Sequence, residues 1–213
     1  VALFEHAAVR RSFAMDRDDV VLARERLAAA GVQWGIDGAA RAAAGAGTDA
    51  TGTWMAARQR LLAAHALGED EAVFVGDLVT TDAVGASAAR ALAAVFELVD
   101  RLDAMRALAP VLDSVAGWRG RLLAHFDALF AIDPRDDAEL AARDGLIALL
   151  TELVDAADCA GVAVMLPLAA VHETLVRRVA ETGSGRPWLG AGACVAGMVP
   201  MRSVPFRMIA LLG

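Results

Sequence analysis

Apolar side chains recur along most of the chain at intervals of three and four residues, the spacing that places them on one face of an α-helix. This pattern predicts six helices: Arg17–Ala30, Trp54–Leu67, Val84–Ala109, Ser114–Ile132, Asp136–Ala160 and a last helix from Pro167 to Gly183. Asp16 and Thr53 stand where N-cap residues are expected, and Gly31 and Gly68 stand where helices end. We expect the apolar faces to form a core rather than a cofactor site.

Two segments between the predicted helices lack this spacing. Gly38–Gly52 is rich in glycine, alanine and threonine, a composition typical of loops, and we predict a mobile loop there. Glu69–Asp82 is predicted to be irregular, although it contains the apolar triplet Val73-Phe74-Val75.

The pattern changes after Gly183. A loop is predicted as far as Gly192, and two apolar runs follow, Ala193–Val199 and Phe206–Leu212, on either side of Pro200–Pro205. Short apolar runs flanked by Gly and Pro are typical of buried strands in a mixed sheet. Because two strands are not stable as a sheet by themselves, we expect them to belong to a domain whose remainder lies outside this sequence.

The composition favours a helical globular protein. Alanine, the strongest helix former, accounts for 50 of the 213 residues. The longest uncharged run, Pro187–Met201, is shorter than the roughly 18 to 20 apolar residues that span a bilayer, so no membrane partner is expected. Cys159 and Cys194 form no CxxC pair, which indicates a reduced, cytoplasmic protein. Because the chain starts at Val1 and ends within an apolar run, we expect a piece of a longer protein.

The net charge of −7 is unevenly distributed along the chain. Residues 1–60 carry +1, residues 61–160 carry −11 and residues 161–213 carry +3. An acidic surface repels phosphate groups, so any contact with nucleic acid is expected from the two ends. A second interpretation, compatible with the first, is that the acids line solvated helix faces.

No motif in the sequence completes a catalytic or metal site. The chain contains no lysine, which excludes an intact nucleotide-hydrolysing P-loop. His172-Glu173 begins like a zinc-protease helix, but Val176 stands at the second ligand position. Gly45–Ala50 matches a dinucleotide-binding pattern by its letters, yet no strand is predicted before it. We therefore predict that this chain is non-catalytic and binds no cofactor or metal.

Two stretches of the sequence carry a family resemblance. The first comprises Ala8-Val9-Arg10-Arg11-Ser12-Phe13, the helix start Asp16-x-Asp18-Asp19, the segment Ala30–Asp37 and the helix start Thr53-Trp54. The second is Met198–Gly213, which contains Pro200-Met201-Arg202-Ser203-Val204-Pro205-Phe206. Both resemble the RecC family, the gamma subunit of exodeoxyribonuclease V, the RecBCD helicase–nuclease. Gln33 and Arg207 depart from the family pattern, which has Arg and Lys there.

The resemblance implies a mainly α fold. Residues 1–192 would be the helical accessory subdomain of a helicase-like protein. Residues 193–213 would begin its second RecA-like α/β domain with two short β-strands, so that this domain is incomplete here. RecC-like subunits look like helicases that have lost their motor chemistry, and the turn Pro200–Pro205 lacks the Lys-Gly of the motif that active relatives carry at this place.

The resemblance also implies a function in recombinational double-strand break repair. A RecC-like subunit binds DNA and joins RecB-like and RecD-like subunits in a heterotrimer. It splits the incoming duplex and scans one strand for the Chi sequence. ATP and Mg²⁺ would belong to the partner subunits, and the exonuclease activity to the complex.

Six residues are candidate contacts with DNA or with a neighbouring domain: Arg202, Ser203, Arg207, Arg10, Arg11 and Trp34. Arg202 would be presented by a turn that Pro200 and Pro205 stiffen, and its planar guanidinium suits a phosphate or a carboxylate. A structural ion pair is the alternative for the arginines. Trp34 and Trp54 could stack on bases, although cores and subunit interfaces claim such residues more often.

A helical ligand-binding or dimerising regulator domain is the alternative function. It would explain the amphipathic helices and the alanine content, but it gives no reason for the two apolar runs near the end. A small hydrolase is disfavoured because no catalytic set of residues is found.

Overall fold

The computed structural model describes residues 1–161 and 164–183 of the chain, and most of these residues are helical. The helices are a 3-10 helix (Ala2–Glu5), α1 (Ala7–Ser12), α2 (Arg17–Ala29), α3 (Gly38–Ala43), α4 (Trp54–Leu67), α5 (Ala86–Arg106), α6 (Val115–Leu129), α7 (Asp137–Cys159) and α8 (Leu168–Gly183). Short strands in the same residues form two antiparallel pairs, β1 (Phe74–Val75) with β2 (Leu78–Val79) and β3 (Leu112–Asp113) with β4 (Leu166–Pro167). The predicted mainly α fold is confirmed.

Capping residues near in sequence set the ends of the helices. At the start of α2, Asp19 N–H donates to Asp16 Oδ1 at 2.8 Å, and Asp16 N–H donates to Asp19 Oδ2 at 3.1 Å. At the start of α4, Ala56 N–H donates to Thr53 Oγ1 at 3.3 Å. Gly68 ends α4 with a left-handed φ of 68°. Since these bonds satisfy N–H groups that a helix start leaves unpaired, the predicted caps Asp16 and Thr53 are confirmed.

Two predictions for the segments between helices are wrong in part. The predicted loop Gly38–Gly52 begins instead with α3, because Asp37 Oδ1 accepts the N–H of Ala40 at 2.7 Å and caps a helix. The predicted irregular segment Glu69–Asp82 contains the hairpin of β1 and β2. Alanine-rich and mixed stretches hide such short elements, because a six-residue helix makes fewer than two turns and a two-residue strand cannot repeat an alternation.

The hairpin of β1 and β2 is closed by a two-residue turn. Phe74 lies opposite Val79, and Val75 lies opposite Leu78. The turn starts at Gly76, whose φ of +61° lies in the region that tight hairpin turns require.

The chain separates into two compact units, Val1–His172 and Glu173–Gly213. In the first unit, α2 packs against α5 and α6 packs against α7. Large buried side chains of its main core are Phe4, Val9, Phe13, Val20, Leu27, Leu61, Leu92, Val95, Phe96 and Leu98. Of the second unit, the structure describes the α8 residues 173–183.

Several sequence predictions fall outside the described residues. These are the strands Ala193–Val199 and Phe206–Leu212 and the domain boundary between residues 192 and 193. Within 1–161 and 164–183, no helix combines the length and the apolar character that crossing a membrane requires.

Candidate functional site

Arg10, a predicted contact residue, bonds within the protein. It lies on α1, and its Nη1 donates to the carbonyl oxygens of Phe4 at 2.7 Å and Glu5 at 2.9 Å. These carbonyls end the 3-10 helix, and helix ends leave carbonyl groups in need of donors. Arg10 therefore holds the 3-10 helix against α1.

Arg11, the next residue of α1, connects α1 to the first turn of α7. Its Nε donates to the Ala131 carbonyl at 2.9 Å, and its Nη2 forms an ion pair with the Glu139 carboxylate. Glu139 also accepts the N–H of Asp133 at 2.9 Å. The hydrogen bond from Arg11, followed by that from Asp133, holds the pKa of Glu139 below its ordinary value. The structural ion pair, which was the alternative interpretation for this arginine, is present.

Trp34 lies between α2 and α3 and is 46% exposed. The Cζ atom of Arg41, on α3, lies 4.9 Å from the centroid of the Trp34 ring, and Arg41 Nη2 donates to the Trp34 carbonyl at 3.0 Å. A cation thus holds the indole while the ring keeps access to solvent, so a base or an apolar group can stack on it. In the described residues, Trp34 shares no hydrogen bond, ion pair or ring contact with Arg10 or Arg11.

Sequence reasoning missed Arg41. This side chain is buried, and its Nη1 donates to the carbonyls of Asp49 at 2.9 Å and Thr51 at 2.7 Å. Gly38 allows the loop to approach α3, because a Cβ there would lie 2.3 Å from the Thr48 carbonyl oxygen. The available signal was one arginine standing alone in a stretch of glycine and alanine. Arg41 organises the loop beside Trp34.

Trp54 belongs to the core and not to the candidate site. It is partly buried at the start of α4 and meets the ring of Phe96 edge-on, with ring centroids 6.3 Å apart. Edge-to-face packing is a favoured geometry for aromatic pairs in protein interiors. The interpretation of Trp54 as a core residue is the one that the structure supports.

The other three candidate contacts, Arg202, Ser203 and Arg207, lie outside the described residues. Their assignment stays a prediction from the sequence.

A groove of about 340 Å³ lies between α4 and α5. Its floor is apolar and includes the buried side chains of Leu61, Leu92 and Phe96. On its rim, Arg58 Nη1 lies 3.1 Å from Asp100 Oδ2, and Arg58 Cζ lies 5.5 Å from the Phe96 ring centroid. The groove is shaped to accept an apolar group between charged edges.

The groove does not hold a catalytic arrangement of side chains. Its histidine, His65, has Nδ1 2.7 Å from the Val84 carbonyl oxygen, which fixes a proton on Nδ1. Neither serine nor cysteine lines the groove beside His65, so a nucleophile and base pair is not formed there. Among the described residues, no group of three or more His, Cys, Asp and Glu side chains could hold a metal ion.

Comparison with known proteins assigns a family. Residues 1–183 match the family model of the fourth domain of the RecBCD enzyme subunit RecC. The chain belongs to this family. The family resemblance expected from the opening and closing stretches is confirmed.

Two relatives show how much of such a protein this chain covers. The RecBCD enzyme subunit RecC of Mycobacterium tuberculosis is 28% identical over 219 residues, and that of Mycolicibacterium smegmatis is 28% identical over 226 residues. Each alignment covers 99% of this chain and 19% of the relative. The chain thus spans about a fifth of the length of the curated relatives it matches.

Proposed function

We propose that this chain is a non-catalytic scaffold domain of a RecC-type subunit in a RecBCD-type exodeoxyribonuclease V. The observation that carries the proposal is the family match over residues 1–183, joined to relatives that are named as RecBCD enzyme subunits. The proposed process is recombinational repair of double-strand breaks in the cytoplasm. RecB-like and RecD-like subunits would be the partners, and ATP and Mg²⁺ would be bound by them.

The absence of lysine supports a non-catalytic role for this chain. A P-loop needs a lysine that reaches the β- and γ-phosphates, and the chain has none. Nucleotide hydrolysis by a P-loop is therefore assigned to parts of the assembly outside this chain. This domain would support the strand handling and Chi scanning of the complex by positioning its neighbours.

The proposed DNA contacts are Arg202, Ser203 and Arg207, with Trp34 as a stacking residue. Arg10 and Arg11 are less suited, because their guanidinium groups already bind carbonyls and Glu139. The middle of the chain is also unsuited, because residues 61–160 carry −11 and repel phosphate.

The test uses the full-length RecC-type protein that contains this chain, assembled with its partners. Arg202→Ala is expected to weaken binding of forked DNA and to reduce the slope of log affinity against log salt by about one, as loss of one phosphate contact does. Arg135→Ala, an exposed arginine in the acidic middle, is the matched control and is expected to change neither. Equal affinities and equal salt dependences for the two variants would contradict the proposed contact between Arg202 and DNA.

A second measurement addresses the non-catalytic assignment. The purified 213-residue chain is expected to hydrolyse neither ATP nor DNA in the presence of Mg²⁺. Turnover by this chain, after contaminating nucleases are excluded, would overturn the scaffold function.

The alternative, a ligand-binding or dimerising regulator, is favoured by one observation, the apolar groove between α4 and α5. It predicts that small apolar ligands raise the melting temperature of the chain, or that the chain forms a symmetric dimer. The scaffold function predicts neither effect.

A further inference from the structure

Residues 69–82 contain a hairpin that places apolar side chains in solvent. We call this segment, which contains β1 and β2, the acidic hairpin. Phe74 is 80% exposed, Val75 46% and Val79 37%. Because residues directly opposite each other in an antiparallel pair share one face, Phe74 and Val79 form a continuous apolar surface on one side of the hairpin.

The same segment carries an unbalanced negative charge. It has five acids and no basic residue, and all five acids are exposed: Glu69, Asp70, Glu71, Asp77 and Asp82. In the part of the chain that the structure describes, none of them forms an ion pair. The apolar side of the hairpin is thus flanked by carboxylates that form no ion pair within residues 1–161 and 164–183.

The base of the acidic hairpin is held firmly, although its tip is exposed. Thr80 is buried, and its Oγ1 accepts the N–H of Val73 at 2.9 Å. Arg60, on α4, donates from Nε to the Val79 carbonyl at 2.7 Å and from Nη1 to the Ala30 carbonyl at 2.8 Å. The Arg60 guanidinium is therefore bound to carbonyl groups, and among the ion pairs of the described residues it forms none with the hairpin acids. A held base lowers the ordering cost when the tip binds a partner.

We propose that the acidic hairpin docks onto the RecB-type partner subunit, at a protein surface with an apolar pocket ringed by arginine or lysine. This inference rests on the proposed function, which supplies the multi-subunit assembly. The charge decides the class of partner: five uncompensated carboxylates repel nucleic acid and attract a basic protein surface. The aromatic side chain supplies the anchor, because exposed aromatic residues that fill a partner's pocket carry much of the binding energy of interfaces.

The test measures binding of the full-length RecC-type protein to its purified RecB-type partner by surface plasmon resonance. Phe74→Ala is expected to raise Kd at least about tenfold, mainly through faster dissociation. The control is Leu112→Ala, which truncates a 57% exposed side chain on β3 and is expected to leave Kd unchanged. A combined Glu71→Gln and Asp77→Asn variant is expected to slow association and to flatten its dependence on salt.

Each outcome bears on the hairpin or on the assembly. Wild-type protein that binds the partner, with Phe74→Ala binding equally well, would overturn the docking inference and leave the proposed function standing. Wild-type protein that does not bind the partner would overturn both. A Phe74→Ala variant that lowers the melting temperature of the isolated protein without changing Kd would show that the hairpin packs within its own polypeptide, and this also overturns the inference.

Discussion

Residues 1–98 and residues 99–172 are built from helices with the same apolar spacing, yet they bury their apolar faces to different extents. In the first region, α5 alone buries six side chains: Ala88, Ala91, Leu92, Val95, Phe96 and Leu98. In the second region, the 23-residue helix α7 buries Leu150. The remaining buried apolar side chains of residues 99–161 and 164–172 are Trp118, Leu129 and Val171.

The difference follows from the number of neighbours around each helix. α5 packs against both α2 and α6, whereas α7 packs chiefly against α6. Apolar residues of α6 (Leu122 and Phe126) and of α7 (Ile147 and Val154) are accordingly half-buried. Periodicity therefore identifies the apolar face of a helix, but the neighbours around the helix decide how much of that face leaves water.

The largest expected loss of stability comes from a substitution in residues 99–172, the region that buries fewer apolar side chains. Trp118 is fully buried, and its Nε1 donates to the Leu166 carbonyl at 2.7 Å, which connects α6 to β4. Trp118→Ala is expected to lower the free energy of unfolding by about 3–5 kcal/mol, because it leaves a large cavity and an unpaired carbonyl. Urea unfolding measures the loss, and hydrogen exchange should accelerate first in α6 and α7. A loss below about 1 kcal/mol would mean that the region does not depend on this side chain.

A smaller loss of stability is expected from a substitution in residues 1–98, where two adjacent leucines differ in burial. Leu61 is 3% exposed and Leu62 is 59% exposed, both on α4. Leu61→Ala is expected to lower the free energy of unfolding by about 2–4 kcal/mol, and Leu62→Ala by less than about 0.5 kcal/mol. Similar losses for the two variants in thermal or urea unfolding would contradict the packing described for α4.

The smallest expected change in stability concerns the ion pair between Arg11 and Glu139, which connects residues 1–98 to residues 99–172. Arg11 lowers the pKa of Glu139 from its ordinary value of 4.5. A carboxyl whose pKa is lower in the folded state stabilises the fold above its unfolded pKa, and this contribution disappears as the pH falls through the folded-state pKa. Stability is therefore expected to decrease in acid below about pH 4.5, with a shallower decrease in Glu139→Gln. Urea midpoints measured from pH 6 to pH 3 test this, and identical curves for the two proteins would show that the pair does not contribute.

The parts of the fold that could be predicted depend on residues close together in sequence. Asp16 and Asp19 are three residues apart, and so are Thr53 and Ala56, so their capping bonds could be anticipated from the pattern alone. The hairpin of β1 and β2 could not, because the bonds from Arg60 hold its base and come from another helix.

The roles of the candidate residues were harder to predict for the same reason. The motif that contains Arg10 and Arg11 was recognised from the sequence, but Glu139 stands 128 residues after Arg11. No spacing rule indicates such a pair. Arg41 could not be found from the sequence because its partners are main-chain carbonyls. Every residue has such a carbonyl, so these partners leave no recognisable motif.

The carbonyl cluster around Arg41 has a consequence for how this part of the protein can vary. Three carbonyls converge on one planar group, that of Trp34 from one stretch of backbone and those of Asp49 and Thr51 from another. The connecting alanines and glycines have no polar side chains and add no side-chain bonds that shape the loop. Lysine carries its hydrogens on a single nitrogen and cannot span the same acceptors. Exchanges of the loop alanines for other small residues should therefore be tolerated, whereas the glycines with positive φ and Gly38 are fixed by the backbone. Replacing the arginine by any other amino acid removes the common anchor of both stretches of backbone.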